Sequence, residues 1–321
     1  MTVEAAMGAE HEPVLLTEVM ELLRLNGMER SKKVVDCTLG LGGYSREILR
    51  AFPEAKVYGL DRDLSAIVRS RARLAEYAAR FHALHKNFGG MGEVLTDFAP
   101  FDAFVFDLGV SNMQLTEADR GFSFQNDGPL DMRMNPDGAA ETAAEVLQRL
   151  SAEELAKIFW RYGEERYARQ IAAKIEETRK KGGSLKTTGE LVTLIRDLLP
   201  APVQRKMGTH PARRVFQALR IYVNEELEEL EAGLASVKRF VSPGAIVIVV
   251  SYHSLEDRIV KHTFRTWETE EKIGIVLTKH PVLAEPREIE KNFKARSAKL
   301  RSFRFSAKSG GKTRGKRDKA K

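Results

Sequence analysis

The chain of 321 residues contains one cysteine, Cys37, so an intramolecular disulfide framework and a cysteine-based metal cluster are both excluded. Its seven histidines are scattered, with no HExxH or similar spacing, and no structural metal is expected. No apolar run reaches the roughly 18 residues that a membrane-spanning helix needs. The first stretch, MTVEAAMGAEHEPV, has neither a basic flank nor an apolar centre, so it does not read as a signal peptide. The expectation is a cytoplasmic protein with no membrane partner. The sequence shows no internal repeats. No G-x-S-x-G surrounds Ser254, which leaves no hydrolase elbow there.

What remains is ample for a core. Hydrophobic residues make up 43% and charged residues 30%, the balance of a soluble globular chain of one large domain or two ordinary ones. The net charge of +7 favours a polyanionic partner.

The stretch from Lys33 to Leu49, KVVDCTLGLGGYSREIL, reads as a short buried strand, a glycine turn and an amphipathic helix. That is the opening of a nucleotide-binding βαβ unit, where glycine lets the backbone approach a ligand at a helix N-terminus. A second strand, Lys56 to Leu60, ends in Asp61, about 20 residues past the glycines, the distance at which a carboxylate accepts from ribose hydroxyls. Ser45 stands where the third glycine of the dinucleotide fingerprint belongs. An NAD dehydrogenase is therefore disfavoured, and a cofactor with a ribose but no phosphate, S-adenosylmethionine, fits better.

Further strands are expected at Phe81–His85 and Phe101–Phe106, ending near Phe88 and at Asp107. Strands alternating with helices predict a parallel, doubly wound α/β sheet with ligands at the carboxyl ends of its strands. From about Thr142 to Leu199 only helical spacing is seen, which predicts an inserted helical unit returning through Thr209-His210-Pro211. Ala212 to Phe240 reads as one long helix. Ala245–Val250, apolar throughout, predicts a central strand buried on both faces, and Ile275–Thr278 and Leu300–Phe305 the last two. The stretch from Lys308 to Lys321 carries seven Lys or Arg against one Asp; such a basic tail is expected to be disordered, and it reads either as a solvated charge run or as a non-specific phosphate contact.

Several residues carry chemistry. Asp107 ends an apolar strand, where a bare carboxylate is costly unless it is paired or used. Phe88 offers an aromatic face for adenine, although a lone aromatic is more often core. Ser111 and Gln114 follow Asp107 on one loop. His253, at a strand end, reads equally as a general base or as a hydrogen-bonded structural group. Ser254 reads as a helix cap.

Taken together, DCTLGLGGYSREIL, LDRDLSAI, FDLGVSNMQLTEADRGFSFQNDGPLDMRM, FQALRIYVNEELEEL, VSYHSLEDRIVK and ARSAKLR resemble the bacterial 16S rRNA (cytosine(1402)-N(4))-methyltransferases, the RsmH family, formerly called MraW. The likeness runs from His11 to about Phe305. It implies a class I S-adenosylmethionine-dependent methyltransferase, a Rossmann-like α/β fold with an inserted α-helical domain. The implied division is methyltransferase over 1–118 and 212–306, substrate recognition over 119–211, and a basic tail over 307–321. The substrate it implies is the exocyclic amine of one cytosine in 16S rRNA of the small ribosomal subunit. Matched motif by motif, its cofactor positions fall on Gly42, Gly43, Tyr44, Asp61, Phe88, Asp107 and Gln114. Asp107 stands where related amino-methyltransferases place their catalytic motif, with the acid kept and the prolines and aromatic missing. Many relatives have His at Tyr44 and Ser-Pro in place of Asn112-Met113, which leaves the Tyr44 contact to its backbone amide and predicts a looser loop before Gln114. A methyltransferase acting on another RNA or on a protein is the alternative reading.

Overall fold

The structure is a computed structural model, which describes residues 12–29 and 32–307; the basic segment Lys308–Lys321 lies outside the described residues. Among the described residues, seven strands form one sheet: β1 (Lys33–Asp36), β2 (Lys56–Asp61), β3 (Phe81–His85), β4 (Phe101–Asp107), β5 (Val241–Ser251), β6 (Gly274–Val276) and β7 (Lys299–Phe305). Their spatial order is β3-β2-β1-β4-β5-β7-β6. β1 to β5 run parallel, and β7 is inserted antiparallel between β5 and β6. The central strands β4 and β5 are runs of Phe, Val, Ile and Ala covered on both faces, which is why they read as continuous rather than alternating.

Two apolar layers sandwich the sheet. On one face, helices Leu16–Leu25, Gly43–Ala51 and Leu64–Arg73 bring Leu23, Ile48 and Ile67 against Val34, Val57 and Ile248. On the other, helices Glu226–Val237 and Ser254–Thr269 bring Leu234, Phe264 and Trp267 against Phe104, Phe106 and Val247. The order of strands reverses between β1 and β4, and a crevice at such a switch point is where α/β sheets bind ligands.

A third core is helical. Helices Ala143–Arg149, Ala152–Gly163, Ala168–Lys180 and Thr188–Leu198 share one cluster with Phe122, Leu130 and Met132. Three of the four begin with complete capping boxes, at Thr142, Ser151 and Thr187. Helix Arg213–Asn224, placed by the expected boundary at 211/212 with the methyltransferase part, packs Val215, Phe216 and Leu219 into this helical cluster.

The long helix expected over Ala212–Phe240 is two helices. Glu225 adopts a left-handed conformation, φ 51, between Arg213–Asn224 and Glu226–Val237. The break has a structural cause. Asn224 is 2% exposed; its Nδ2 donates to the Met132 carbonyl at 2.8 Å and its Oδ1 accepts from the Met134 amide at 2.8 Å. Its own carbonyl, released from the helix, accepts from Arg62 Nη1 at 2.8 Å. One side chain therefore pins the DMRM loop to the helical layer, and its carbonyl ties the same point to the end of β2.

Candidate active site

Four strand ends build the site. At β1, Asp36 is 1% exposed; its Oδ2 accepts from Ser45 Oγ at 2.6 Å and its Oδ1 from the Thr38 amide at 3.3 Å. Burial pushes its pKa up to about 6, with those two bonds limiting the rise. Ser45, in the third-glycine position, is thus the partner of a strand-end carboxylate. Asp36 stands outside the expected site, although an acid closing the apolar run of β1 is the same signal that marks Asp61 and Asp107.

The glycine turn follows. Gly40 and Gly42 have φ of 50 and 77, a region that glycine enters without the Cβ penalty. A Cβ on Gly42 would lie 2.8 Å from Leu74, and one on Gly43 2.8 Å from Pro13. Tyr44 is buried, with its hydroxyl donating to the Val14 carbonyl. Its side chain belongs to the core, so any ligand contact falls to its backbone amide.

At β2, Asp61 Oδ2 accepts from the Gly40 amide and Oδ1 from the Asp63 amide, both at 2.8 Å. The carboxylate ties the glycine turn to the strand end, and each oxygen keeps a lone pair for a further donor. Burial raises its pKa against the pull of those bonds. Two residues on, Asp63 meets Arg120 Nη1 at 2.8 Å; burial would raise its pKa, but Ser65 and Arg120 together hold it below the ordinary carboxylate range. Gln114 joins this pair. It is 5% exposed, donates from Nε2 to Asp63 Oδ2 at 3.5 Å, and accepts at Oε1 from the Ser111 amide at 3.0 Å. Ser111 Oγ in turn accepts from the Gln114 amide at 3.2 Å. The loop expected to be loose without proline is closed by a full capping box.

Phe88, just beyond β3, is half-buried. Its ring meets Phe106 edge-on, with centroids 5.5 Å apart, and a Cβ added to Gly233 would stand 2.7 Å from it. The aromatic is wedged between β4 and helix Glu226–Val237.

At β4, Asp107 Oδ1 accepts from Tyr252 Oη at 2.6 Å, and its amide donates to Thr38 Oγ1 at 2.6 Å. Burial pushes its carboxyl up to about 7; the Tyr252 bond and the Lys294 ammonium oppose the rise, and Asp36 and Glu256 add to it. Lys294 reaches the same loop from the other end of the chain, donating to the Val110 carbonyl at 3.4 Å. Burial brings its amine down to about 8, with Asp107 resisting. Tyr252 and Lys294 stand outside the site expected from the sequence. Tyr252 was visible only as a neighbour of His253, and Lys294 had no local signal.

His253 is placed by structure rather than by chemistry. It caps helix Ser254–Thr269: Nδ1 accepts from the Glu256 amide at 3.3 Å, and Glu256 Oε2 accepts from the amides of Tyr252 and His253 at 2.8 and 3.2 Å. The cap expected at Ser254 therefore lies one residue earlier, and Ser254 is the first helical residue. Glu226, His253 and Glu256 bring ligand-type atoms within 4.8 Å of one another. Arg220 already holds Glu226 through Nε and Nη2 at 2.7 and 2.8 Å, so a guanidinium supplies the positive charge that this cluster needs.

The site thus gathers Asp36, Asp61 and Asp107 at the ends of three neighbouring strands, with a glycine turn between the first two. The sequence of the chain matches the model of the MraW methylase family over residues 8–306. The chain belongs to the MraW methylase family. It is a methyltransferase of the S-adenosylmethionine-dependent kind. Solved structures resemble it in outline. An rRNA methylase from Streptococcus thermophilus is 8% identical, with 89% of this chain and 96% of that chain covered and a TM-score of 0.41. The N-methyltransferase NodS from Bradyrhizobium japonicum, in complex with S-adenosyl-L-homocysteine, is 8% identical, with 92% and 89% covered and a TM-score of 0.40. The Thermus thermophilus 16S rRNA N2 G1207 methyltransferase, in complex with S-adenosylmethionine and guanosine, is 14% identical, with 94% and 45% covered and a TM-score of 0.40.

The residues of this family member fit the cofactor. Burial raises the carboxyls of Asp36 and Asp107 to about 6 and about 7, and a cation entering beside them would favour their ionised forms. A sulfonium is such a cation, and the spare lone pairs of Asp61 suit ribose hydroxyls. Among the described residues, no helix is long and apolar enough to cross a membrane.

Proposed function

We propose that this protein methylates the exocyclic N4 amine of cytosine 1402 in 16S rRNA, acting on the small ribosomal subunit. The observation that carries the reading is Asp107: a desolvated carboxylate at the switch point, with Oδ1 held by Tyr252 at 2.6 Å and Oδ2 left to accept. The family resemblance supports cytosine as the base, and the net charge of +7 suits a polyanionic substrate.

In this reading Gly42, Gly43 and the Tyr44 amide line the cofactor at the glycine turn, Asp61 accepts from its ribose, and Phe88 borders its base. Gln114 fixes the loop beside them through its bonds to Ser111 and Asp63. The bound cofactor supplies an electrophilic methyl group. A cytosine amine is a poor nucleophile because its lone pair is delocalised into the ring. Asp107 Oδ2 accepts a hydrogen bond from that amine, which raises the electron density on its nitrogen and fixes its direction. After transfer the amine carries one proton too many, and the same carboxylate takes it. Tyr252 holds the carboxylate in place throughout, and Lys294 favours its ionised form. Orientation of this kind supplies roughly 7–11 kcal/mol in the best intramolecular cases.

Turning a stacked base out costs a few kcal/mol. The helical layer and the pinned DMRM loop offer a broad surface on which a folded particle can offset that cost, whereas a free nucleotide has nothing to contact. The test is tritium transfer from labelled S-adenosylmethionine to small-subunit particles, to free cytidine and to CMP, followed by nuclease digestion. N4-methylcytidine from the particle alone is expected; efficient methylation of free cytidine would defeat the reading.

A further inference from the structure

One residue before Lys294, which reaches the loop after Asp107, stands an aromatic side chain that the core does not use. Phe293 is 72% exposed, more open than Trp160 at 64%. Exposing a Phe ring forgoes about 2 kcal/mol of burial, and on an anchored element the ring stays open to a partner. The element is the short 3₁₀ helix Phe293–Ser297, and it is well anchored. Ala295 and Ala298 are each 1% exposed, inside the core on one face of the sheet. The Asn292 side chain caps the Lys294 amide at 3.2 Å, and Lys294 reaches across to Val110, three residues past Asp107. The inward residues are thus small and fixed, and the outward ones are Phe293 and Arg296. The Arg296 guanidinium lies over the Phe293 ring, 5.7 Å from its centroid. Four of the nine residues from Lys291 to Lys299 are basic and none is acidic.

An exposed ring stacked with a guanidinium, amid lysines, is the chemistry that binds an unpaired nucleotide: the π face takes a base and the cations take its phosphates. We infer that Phe293 and Arg296 form a stacking platform for an unpaired rRNA nucleotide beside the methylated cytosine. The inference rests on the proposed RNA substrate and adds a second, non-reacting base contact at the rim of the site. Because the platform touches neither cofactor nor reacting base, it acts on substrate capture and leaves the chemical step alone.

Loss of one base–aromatic stack weakens binding by roughly 5- to 150-fold. Phe293→Ala is therefore expected to raise KM for unmethylated small-subunit particles by a factor in that range. Its kcat and its affinity for S-adenosylmethionine stay at the wild-type values, and Phe293→Trp keeps a wild-type KM. Independently, replacing Phe293 by photoreactive p-benzoylphenylalanine and irradiating the full-length protein on the particle is expected to give a cross-link to 16S rRNA. An unchanged KM in Phe293→Ala, or cross-links to ribosomal protein alone, would overturn the platform. Failure of the substrate reading is distinguishable, since it shows as absent methyl transfer by the wild-type protein assayed alongside.

Discussion

Asp107→Asn removes the carboxylate proposed to take the amine proton, and it is expected to make the free protein more stable. The side chains are isosteric, and Tyr252 can still donate to the remaining oxygen. In the wild-type protein the Asp107 pKa stands at about 7 against an ordinary 3.8. At roughly 1.4 kcal/mol per pKa unit, holding this carboxylate ionised in the folded state costs up to about 4 kcal/mol. The sign follows from the direction. An acid whose folded pKa is raised favours the fold below its unfolded pKa, and that advantage is lost as pH rises through the folded value. At pH 8 the wild-type protein bears the full cost, which the amide avoids. Lys294 loses its counter-charge in the variant, and the new Nδ2 needs an acceptor, so the net gain is set at about 1–3 kcal/mol. The same change removes the proposed proton acceptor and is expected to lower kcat by at least about 100-fold. Denaturant unfolding at pH 8 and pH 5, with a methyl-transfer assay on particles, reads both effects. A gain at pH 8 that shrinks at pH 5, together with abolished activity, is expected. An Asn variant less stable than wild type at pH 8, or one of full activity, would refute the reasoning.

Asp61→Ala removes the acceptor that ties the glycine turn to β2 and is expected to weaken S-adenosylmethionine binding by roughly 1.5–3 kcal/mol; calorimetry showing unchanged affinity would remove the ribose assignment. Glu225→Gly relieves the strain of a left-handed non-glycine residue, about 1–2 kcal/mol, partly offset by chain entropy, so the unfolding midpoint is expected to rise by an amount equivalent to about 0.5–1 kcal/mol. Deleting Lys308–Lys321 is expected to flatten the salt dependence of particle binding, the slope falling by roughly 0.7 to 0.9 for each phosphate that the segment neutralises; equal slopes in the two proteins would leave the segment without a role in binding.

Much of the sheet was legible because its signal is local. Strands β1 to β5 are runs of apolar residues closed by an acid, a serine or a histidine, and both period and length mark them. Asp61 and Asp107 were legible for the same reason, as charges where an apolar strand stops. What escaped depends on partners remote in sequence. Tyr252 meets Asp107 across 145 residues, and Lys294 meets Val110 across 184, so neither has a pattern near it. The break at Glu225 was hidden because apolar spacing continues through it; the cause is Asn224, which binds Met132 and Met134 about 90 residues upstream. His253 could not be assigned from its neighbours, because a histidine at a strand end looks the same whether it caps a helix or takes a proton. The packing of Arg213–Asn224 with the helical layer is likewise tertiary, since its apolar stripe fits either core.

The central claim, transfer of one methyl group to the N4 amine of a single cytosine in small-subunit rRNA, is tested most directly by mass spectrometry of that rRNA. Cells with and without the gene provide the two samples, each cut into fragments and sequenced by mass. A gain of one methyl group, on the exocyclic nitrogen of cytosine 1402 and only when the gene is present, is the predicted result. A methyl group on ring carbon, a gene-dependent methyl at a different base, or identical rRNA from both strains would contradict it.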